Sequence, residues 1–166
     1  MADTKTALPV KYFIAVLFSD SKLLCDARQR ICSLWGEIDI EGEDHLFDVT
    51  DYYKEEMGEP IYRRIVSLNT LYDPMLIVQM KLICNNLEKE LSVNGKRSIN
   101  LDAGYLDHNK ILLASAKEAG QKIYLGDGIY ADLAGRYKAG KYQPFEWSFP
   151  DFKDGRYDTE LLKLRA

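Results

Sequence analysis

The stretch KYFIAVLF, Lys11 to Phe18, followed at once by Ser19-Asp20-Ser21, decides how this chain is read. An apolar run of strand length that is rich in aromatic and aliphatic side chains reads as a buried strand. The polar triplet behind it supplies helix N-caps. Leu24, Ala27, Ile31, Leu34 and Trp35 then recur at helical spacing, and Gly36 sits where a C′ glycine belongs. Strand followed directly by amphipathic helix, over 11–18 and 21–35, is the start of an α+β fold.

The rest is read outward from there. Ile38 and Ile40 alternate with acids until Gly42 interrupts them, which predicts a bulge or hairpin. Residues 50–60 are polar and turn-rich. Residues 61–71 (IYRRIVSLNTL) alternate as a strand, with Ile61, Arg63, Ile65 and Ser67 on one side. Asp73-Pro74 opens a helix, since proline at the first helical position loses an amide that had no partner. Leu76, Met80, Ile83, Leu87 and Leu91 mark its buried stripe, and Asn94-Gly95 ends it. Residues 98–101 read as a strand.

The order strand, helix, strand, strand, helix, strand is that of the ferredoxin-like split βαβ pattern. It predicts an antiparallel four-stranded sheet with both helices on one face. Beyond it the spacing predicts a short helix over 109–117 and a strand over 122–125. A Gly126-Asp127-Gly128 turn, a strand over 129–137, an aromatic stretch over 142–149 and a short helix over 159–164 follow. The expected fold is therefore α+β, a ferredoxin-like sheet with a C-terminal β-hairpin and short helix extension. Residues 1–166 are read as a single domain, with 1–10 as an N-terminal arm.

The chain has 166 residues, 46% of them hydrophobic and 29% charged, and a net charge of −4. That is one domain's length, with enough apolar matter for a core, and it excludes disorder and disulfide-framed miniproteins. An acidic balance speaks against a protein that coats nucleic acid. RNA recognition through the third strand is also disfavoured, because Arg63-Arg64-Ile65-Val66-Ser67-Leu68 lacks the glycine and aromatics of a stacking platform. No apolar run approaches the roughly 20 residues of a membrane helix, and no signal-peptide pattern opens the chain. Cys25, Cys32 and Cys84 form no paired motif and read as reduced, half-buried core thiols. A cytoplasmic protein with no membrane partner is expected.

Charge is unevenly placed. Residues 37–59 carry ten acids and one base, leaving the remainder of the chain basic. A solvated acidic edge accounts for this. So does a cation site, because Asp48, Asp51, Glu55 and Glu56 are hard oxygen ligands of the kind Mg²⁺ takes. Their spacing matches no EF-hand loop. Tyrosine is abundant, 11 residues in all. Its apolar body and polar tip suit pocket walls, interfaces and strands.

Other motifs fail on context. Gly95-Lys96 is followed by Arg97 rather than serine or threonine, so there is no P-loop. Gly126-x-Gly128-x-x-Ala131 precedes a strand rather than the helix of a dinucleotide fold. As a hairpin, its glycines supply positive φ, and its amides could lie over a phosphate. Two histidines, His45 and His108, offer no zinc spacing.

Several segments together resemble one family. They are Phe47-Asp48-Val49-Thr50-Asp51-Tyr52-Tyr53, Glu56-Met57-Gly58, Asn100-Leu101-Asp102-Ala103-Gly104-Tyr105 and Gly128-Ile129-Tyr130-Ala131. Pro9-Val10-Lys11 and Pro150-Asp151 fit the same pattern. The set is similar to a bacterial family described as domain of unknown function 4416, over nearly the whole chain. Its members often carry the label GTP-binding protein. The resemblance nominates Asp102, Tyr105, Lys117 and Tyr130 as site residues. The family's D-P-G-Y and T-T-K-D stand here as Asp102-Ala103-Gly104-Tyr105 and Ser115-Ala116-Lys117-Glu118.

Three functions follow as expectations. The first is binding of a small anion, a nucleotide or another phosphorylated small molecule. Arg64, Arg97 and Lys117 would hold phosphate, with Asn100, Gly126 and Gly128 beside it. Tyr105 and Tyr130 would line the pocket, and Mg²⁺ would sit on Asp48, Asp51 or Asp102. The second is a non-catalytic protein-interaction module using the acidic 41–59 segment. The third is an acid–base enzyme built on Asp102 with Tyr105 or Lys117. Sheet edges and tyrosines permit a homodimer.

Overall fold

The computed structural model describes residues 1–166. Its central strand, β1 (Lys11–Phe18), is buried almost throughout, and the two faces of its alternation feed two separate cores. Tyr12, Ile14, Val16 and Phe18 enter one; Phe13 and Ala15 enter the other. A strand covered on both faces has no polar face to show, which is why KYFIAVLF reads as a continuous apolar run.

Helix α1 (Ser21–Trp35) follows as predicted. The Asp20 carboxylate accepts from the Lys22 N–H at 2.8 Å, and Gly36 leaves the helix at φ 89°. Next come β2 (Ile38–Glu41), β3 (His45–Leu46), a single helical turn α2 (Lys54–Met57) and β4 (Tyr62–Leu68). A 3₁₀ turn over Pro74–Leu76 leads into α3 (Ile77–Glu90), with the Asp73 carboxylate accepting from the Met75 N–H. The second half holds β5 (Ile99–Leu106), β6 (Lys110–Ser115), β7 (Ile123–Gly126), β8 (Ile129–Lys138) and β9 (Lys141–Pro144). Helices α4 (Pro150–Lys153) and α5 (Asp158–Arg165) end the chain.

The fold is mixed α and β around one nine-stranded open antiparallel sheet. Strand order is β2-β4-β1-β5-β6-β8-β7, with β3 also on β4 and β9 also on β8. Helices α1 and α3 cover one face through Leu24, Ala27, Ile31, Ile77, Met80, Cys84 and Leu87. The other face is covered by α4 and α5 through Phe152, Tyr157, Leu161 and Leu164. A small third cluster, Leu17, Phe47, Met57 and Ile61, anchors the 47–61 segment. No helix is long and apolar enough to cross a membrane.

Four local expectations are corrected. Residues 109–117 are not a helix: 110–115 form β6, with Ile111 and Leu113 in one core and Leu112 and Ala114 against the other. A short apolar run fits both periods, and burial on two faces selected the strand. The strand expected to stop at Leu101 continues to Leu106 and takes in 102–105. Helix α3 ends at Glu90, while Asn94 and Gly95 (φ 52° and 72°) turn a small loop beyond it. Cys25 and Cys32 are exposed on α1; Cys84 alone is a core thiol, and burial pushes it up to about 12.

Candidate functional site

The site forms where two strands part. β5 pairs with β6 only through Gly104–Leu106 against Ile111–Leu113, although β5 begins five residues earlier at Ile99. Beyond Gly104, β6 turns away along β8 and the edge of β5 is left without a strand. Unpaired main-chain groups next to a core need partners, and α3 supplies them. The Leu101 N–H donates to Glu88 Oε1 at 2.7 Å, and Lys81 Nζ donates to the Leu101 carbonyl at 3.0 Å. The opening is a cleft of about 560 Å³.

Five cationic side chains line it: Arg63, Lys81, Arg97, Lys117 and Lys122. Four carboxylates, Glu88, Asp102, Glu118 and Asp132, share the lining, so the cations are one in excess. Tyr52, Tyr53 and Phe149 form apolar wall.

Asp102 is the hub of one end. Lys81 Nζ donates to its Oδ1 at 3.4 Å. Its Oδ2 accepts from Asn100 Nδ2 at 2.9 Å and lies 3.5 Å from Arg63 Nη2. The Arg63 guanidinium is buried between the Phe47 and Phe152 rings, 5.0 and 5.7 Å from their centroids. Its Nε stands 3.3 Å from the fully buried Asp151, which accepts from the Tyr157 hydroxyl at 2.8 Å. Arg97 reaches Glu56 at 2.8 Å, donates to Asn100 Oδ1 at 3.1 Å, and stacks over Tyr53 at 5.1 Å. Burial, with the Asp102 charge nearby, pushes the Tyr53 hydroxyl up to about 12. Burial also raises the Glu88 carboxyl, against the pull of Lys81 and the Leu101 hydrogen bond.

The other end lies on the β6–β7 connection. Lys122 Nζ donates to Ser115 Oγ at 2.9 Å and to the Lys117 carbonyl at 3.1 Å. Asp132 faces it with Oδ2 at 3.9 Å, beyond hydrogen-bond reach. Burial raises the Asp132 carboxyl and Lys122 opposes this. The Lys117 ammonium rests 4.6 Å above the Tyr52 ring and 3.4 Å from its hydroxyl, with no carboxylate within ion-pair distance.

Of the residues proposed from sequence, Arg97, Asn100, Asp102 and Lys117 meet in this cleft. Arg64 points to the far side of β4, held by Asp44 at 2.7 Å and Glu41 at 3.1 Å. Tyr105 lies on the opposite face of β5 from Asp102, edge-on to Tyr12 at 5.6 Å. Residues three apart on a strand cannot share a face, so Asp102 and Tyr105 do not act together. Gly126 and Gly128 (φ 124° and 76°) form the β7–β8 hairpin turn, and Tyr130 packs on Tyr124 there, outside the cleft lining.

The four acids proposed for Mg²⁺ are dispersed. Asp48 pairs with Arg156 at 3.2 Å, Asp51 with Lys54 at 2.7 Å and Glu56 with Arg97 at 2.8 Å, while Glu55 lies exposed on α2. No group of three or more His, Cys, Asp or Glu side chains is placed to hold a metal ion.

A family model described as domain of unknown function (DUF4416) matches residues 8–166. The chain belongs to this family. No curated protein and no solved structure matches it. The DUF4416 segments picked out above take up distinct places around the cleft. Residues 47–53 form one wall, and Asn100 and Asp102 lie on its β5 side. Residues 128–131 lead from the hairpin turn into β8, one residue before Asp132.

Arg63, Lys81, Glu88, Lys122 and Asp132 were missed from sequence. Two carried a signal. Lys81 falls on the buried face of α3 with Ile77 and Cys84, and Arg63 alternates in line with the buried Ile61 and Ile65. A charge on a core-facing stripe marks a group with a partner.

Proposed function

We propose that this DUF4416 chain binds a small phosphorylated molecule in the cleft between β5 and β6. The observation that carries the reading is the convergence there of five cations from β4, α3, the α3–β5 connection and the β6–β7 connection. Charge-assisted N–H donors are what phosphate oxygens take. Arg63, Lys81 and Arg97 already answer to carboxylates, whereas Lys117 has no acid partner and Lys122 has none at hydrogen-bond distance. Lys117 therefore marks the phosphate end, with Lys122 beside it, and Tyr52 and Tyr53 form the wall for the rest of the ligand. Asp102, the Mg²⁺ candidate that lines the cleft, has both oxygens engaged by Lys81, Asn100 and Arg63.

The fold belongs to the same proposal. The order β2-β4-β1-β5, with α1 and α3 on one face, supports a ferredoxin-like split βαβ unit for the first half. The cleft then opens at its outer strand β5, where the added strands begin. The acidic 41–59 segment offers less to a protein partner, since Glu41, Asp44, Asp48, Asp51, Glu56 and Glu59 are paired with cations of the same chain.

A thermal-shift series with nucleotides and sugar phosphates, with and without Mg²⁺, tests the reading. A ligand at a hundred times its Kd adds about 2.7 kcal/mol, a rise of roughly 5–11 °C for a chain of this size. Lys117→Ala, at an exposed side chain, should leave the ligand-free melting temperature in place and remove most of that rise. A flat series across all phosphorylated compounds would end the proposal.

A further inference from the structure

Asp132 is the least explained group in the molecule. Its residue is 4% exposed, its Oδ1 is buried with no hydrogen-bond partner, and its Oδ2 makes only the 3.9 Å approach to Lys122. A buried carboxylate without a hydrogen bond is costly, and native structures rarely keep one without a use. Strand geometry places it without strain: Asp132 lies opposite Leu113 in the β6–β8 ladder, and both residues line the cleft.

Lys122 beside it is incompletely matched as well. An ammonium has three donors, and two are taken by Ser115 Oγ and the Lys117 carbonyl. The pair therefore presents to the cleft one free donor and a carboxylate that accepts no hydrogen bond, too far apart to satisfy each other. A hydroxyl oxygen about 2.8 Å from each would accept from Lys122 and donate to Asp132, which is ordinary hydrogen-bond geometry. A bare phosphate oxygen would be repelled by the carboxylate, and a cationic amine would be repelled by Lys122.

We infer that Lys122 and Asp132 form a hydroxyl-reading subsite, so that the cleft selects phosphorylated polyols of the sugar-phosphate class over phosphate itself. This rests on the phosphate-binding reading above and adds the part of the ligand that carries no charge. Lys117 holds the phosphate, while Asp132 and Lys122 read a neighbouring hydroxyl. A group that exists to meet a ligand should cost stability in the free protein. Asp132→Asn, which removes the buried charge at constant size, should therefore melt no lower than wild type.

The test is calorimetric titration of wild type and Asp132→Asn with ribose 5-phosphate, ribose and inorganic phosphate. Wild type is expected to bind ribose 5-phosphate at least tenfold more tightly than inorganic phosphate. Asp132→Asn should shrink that ratio severalfold while binding inorganic phosphate as well as, or better than, wild type. If wild type binds both phosphates equally, or if the variant keeps the full preference, the subsite is refuted and phosphate binding stands. If wild type binds neither phosphate, the subsite is refuted, and the phosphate-binding reading stands or falls with the thermal-shift series. A marked drop in the melting temperature of Asp132→Asn would also overturn the inference, because it would show the carboxylate to be structural.

Discussion

Glu88 shows how one side chain can serve a strand edge. Its Oε1 accepts the Leu101 N–H that no neighbouring strand reaches, and burial raises its carboxyl above the usual range. The fold thus holds the Glu88 proton more tightly than the unfolded chain does. The stability this contributes is complete below the ordinary glutamate value of about 4.3 and is lost as pH rises through the folded value. Glu88→Gln keeps an acceptor for Leu101 and has no charge to bury. Its melting temperature should therefore gain on wild type as pH is raised from 4 to 7, and parallel profiles would contradict the assignment. Glu88→Leu removes the acceptor and should cost about 1–3 kcal/mol in urea unfolding at neutral pH.

Among elements, the β5–β6 pair decides where the cleft opens, and Gly104 is its closest point. A Cβ there would meet the Leu112 carbonyl oxygen and Phe13 Cζ at 2.7 Å, and Leu113 Cδ2 at 2.9 Å. Main chain cannot step aside as a flexible side chain can. Gly104→Ala should cost about 1–3 kcal/mol or more, read as a fall of at least roughly 2–4 °C in melting temperature. A variant as stable as wild type would mean that the two strands separate freely. The segment 102–105 then makes sense one residue at a time. Asp102 faces the cleft, Gly104 permits the strand contact, and Tyr105 packs on Tyr12 in the core. The resemblance nominated Asp102 and Tyr105 together as site residues. Strand alternation sends them to opposite faces, and a four-residue string does not display which period it obeys.

At the scale of the whole molecule, β1 divides two cores, and the far one depends on α5. Leu161 and Leu164 bury against Phe13, Ile65 and Leu113 through that short helix. Leu161→Ala should cost about 2–5 kcal/mol, a fall of roughly 4–20 °C, measured by thermal unfolding. A change under a degree would place α5 outside the cooperative unit. The acidic segment is also a whole-molecule matter. Six of its carboxylates, among them Glu41, Asp44, Glu56 and Asp48 on Arg28, Arg64, Arg97 and Arg156 of other elements, are paired within the chain.

The sequence by itself determined what neighbours along the chain can encode. The apolar run of β1, the capped helix 21–35, the Asp73-Pro74 helix start and the 126–128 hairpin are each written in spacings of a few residues, and each stands as read apart from the α3 end. Only the tertiary structure decided the rest. Ile111 to Ala114 became a strand because cores waited on both of its faces, a fact located in β1, α3 and α5 rather than in those residues. The cleft is the same kind of fact. Arg63, Lys81, Asp102, Lys122 and Asp132 belong to separate elements, and they face one another only because β6 leaves β5 after Gly104. Local periodicity sets which way a side chain points from its own element; it holds no record of what stands opposite.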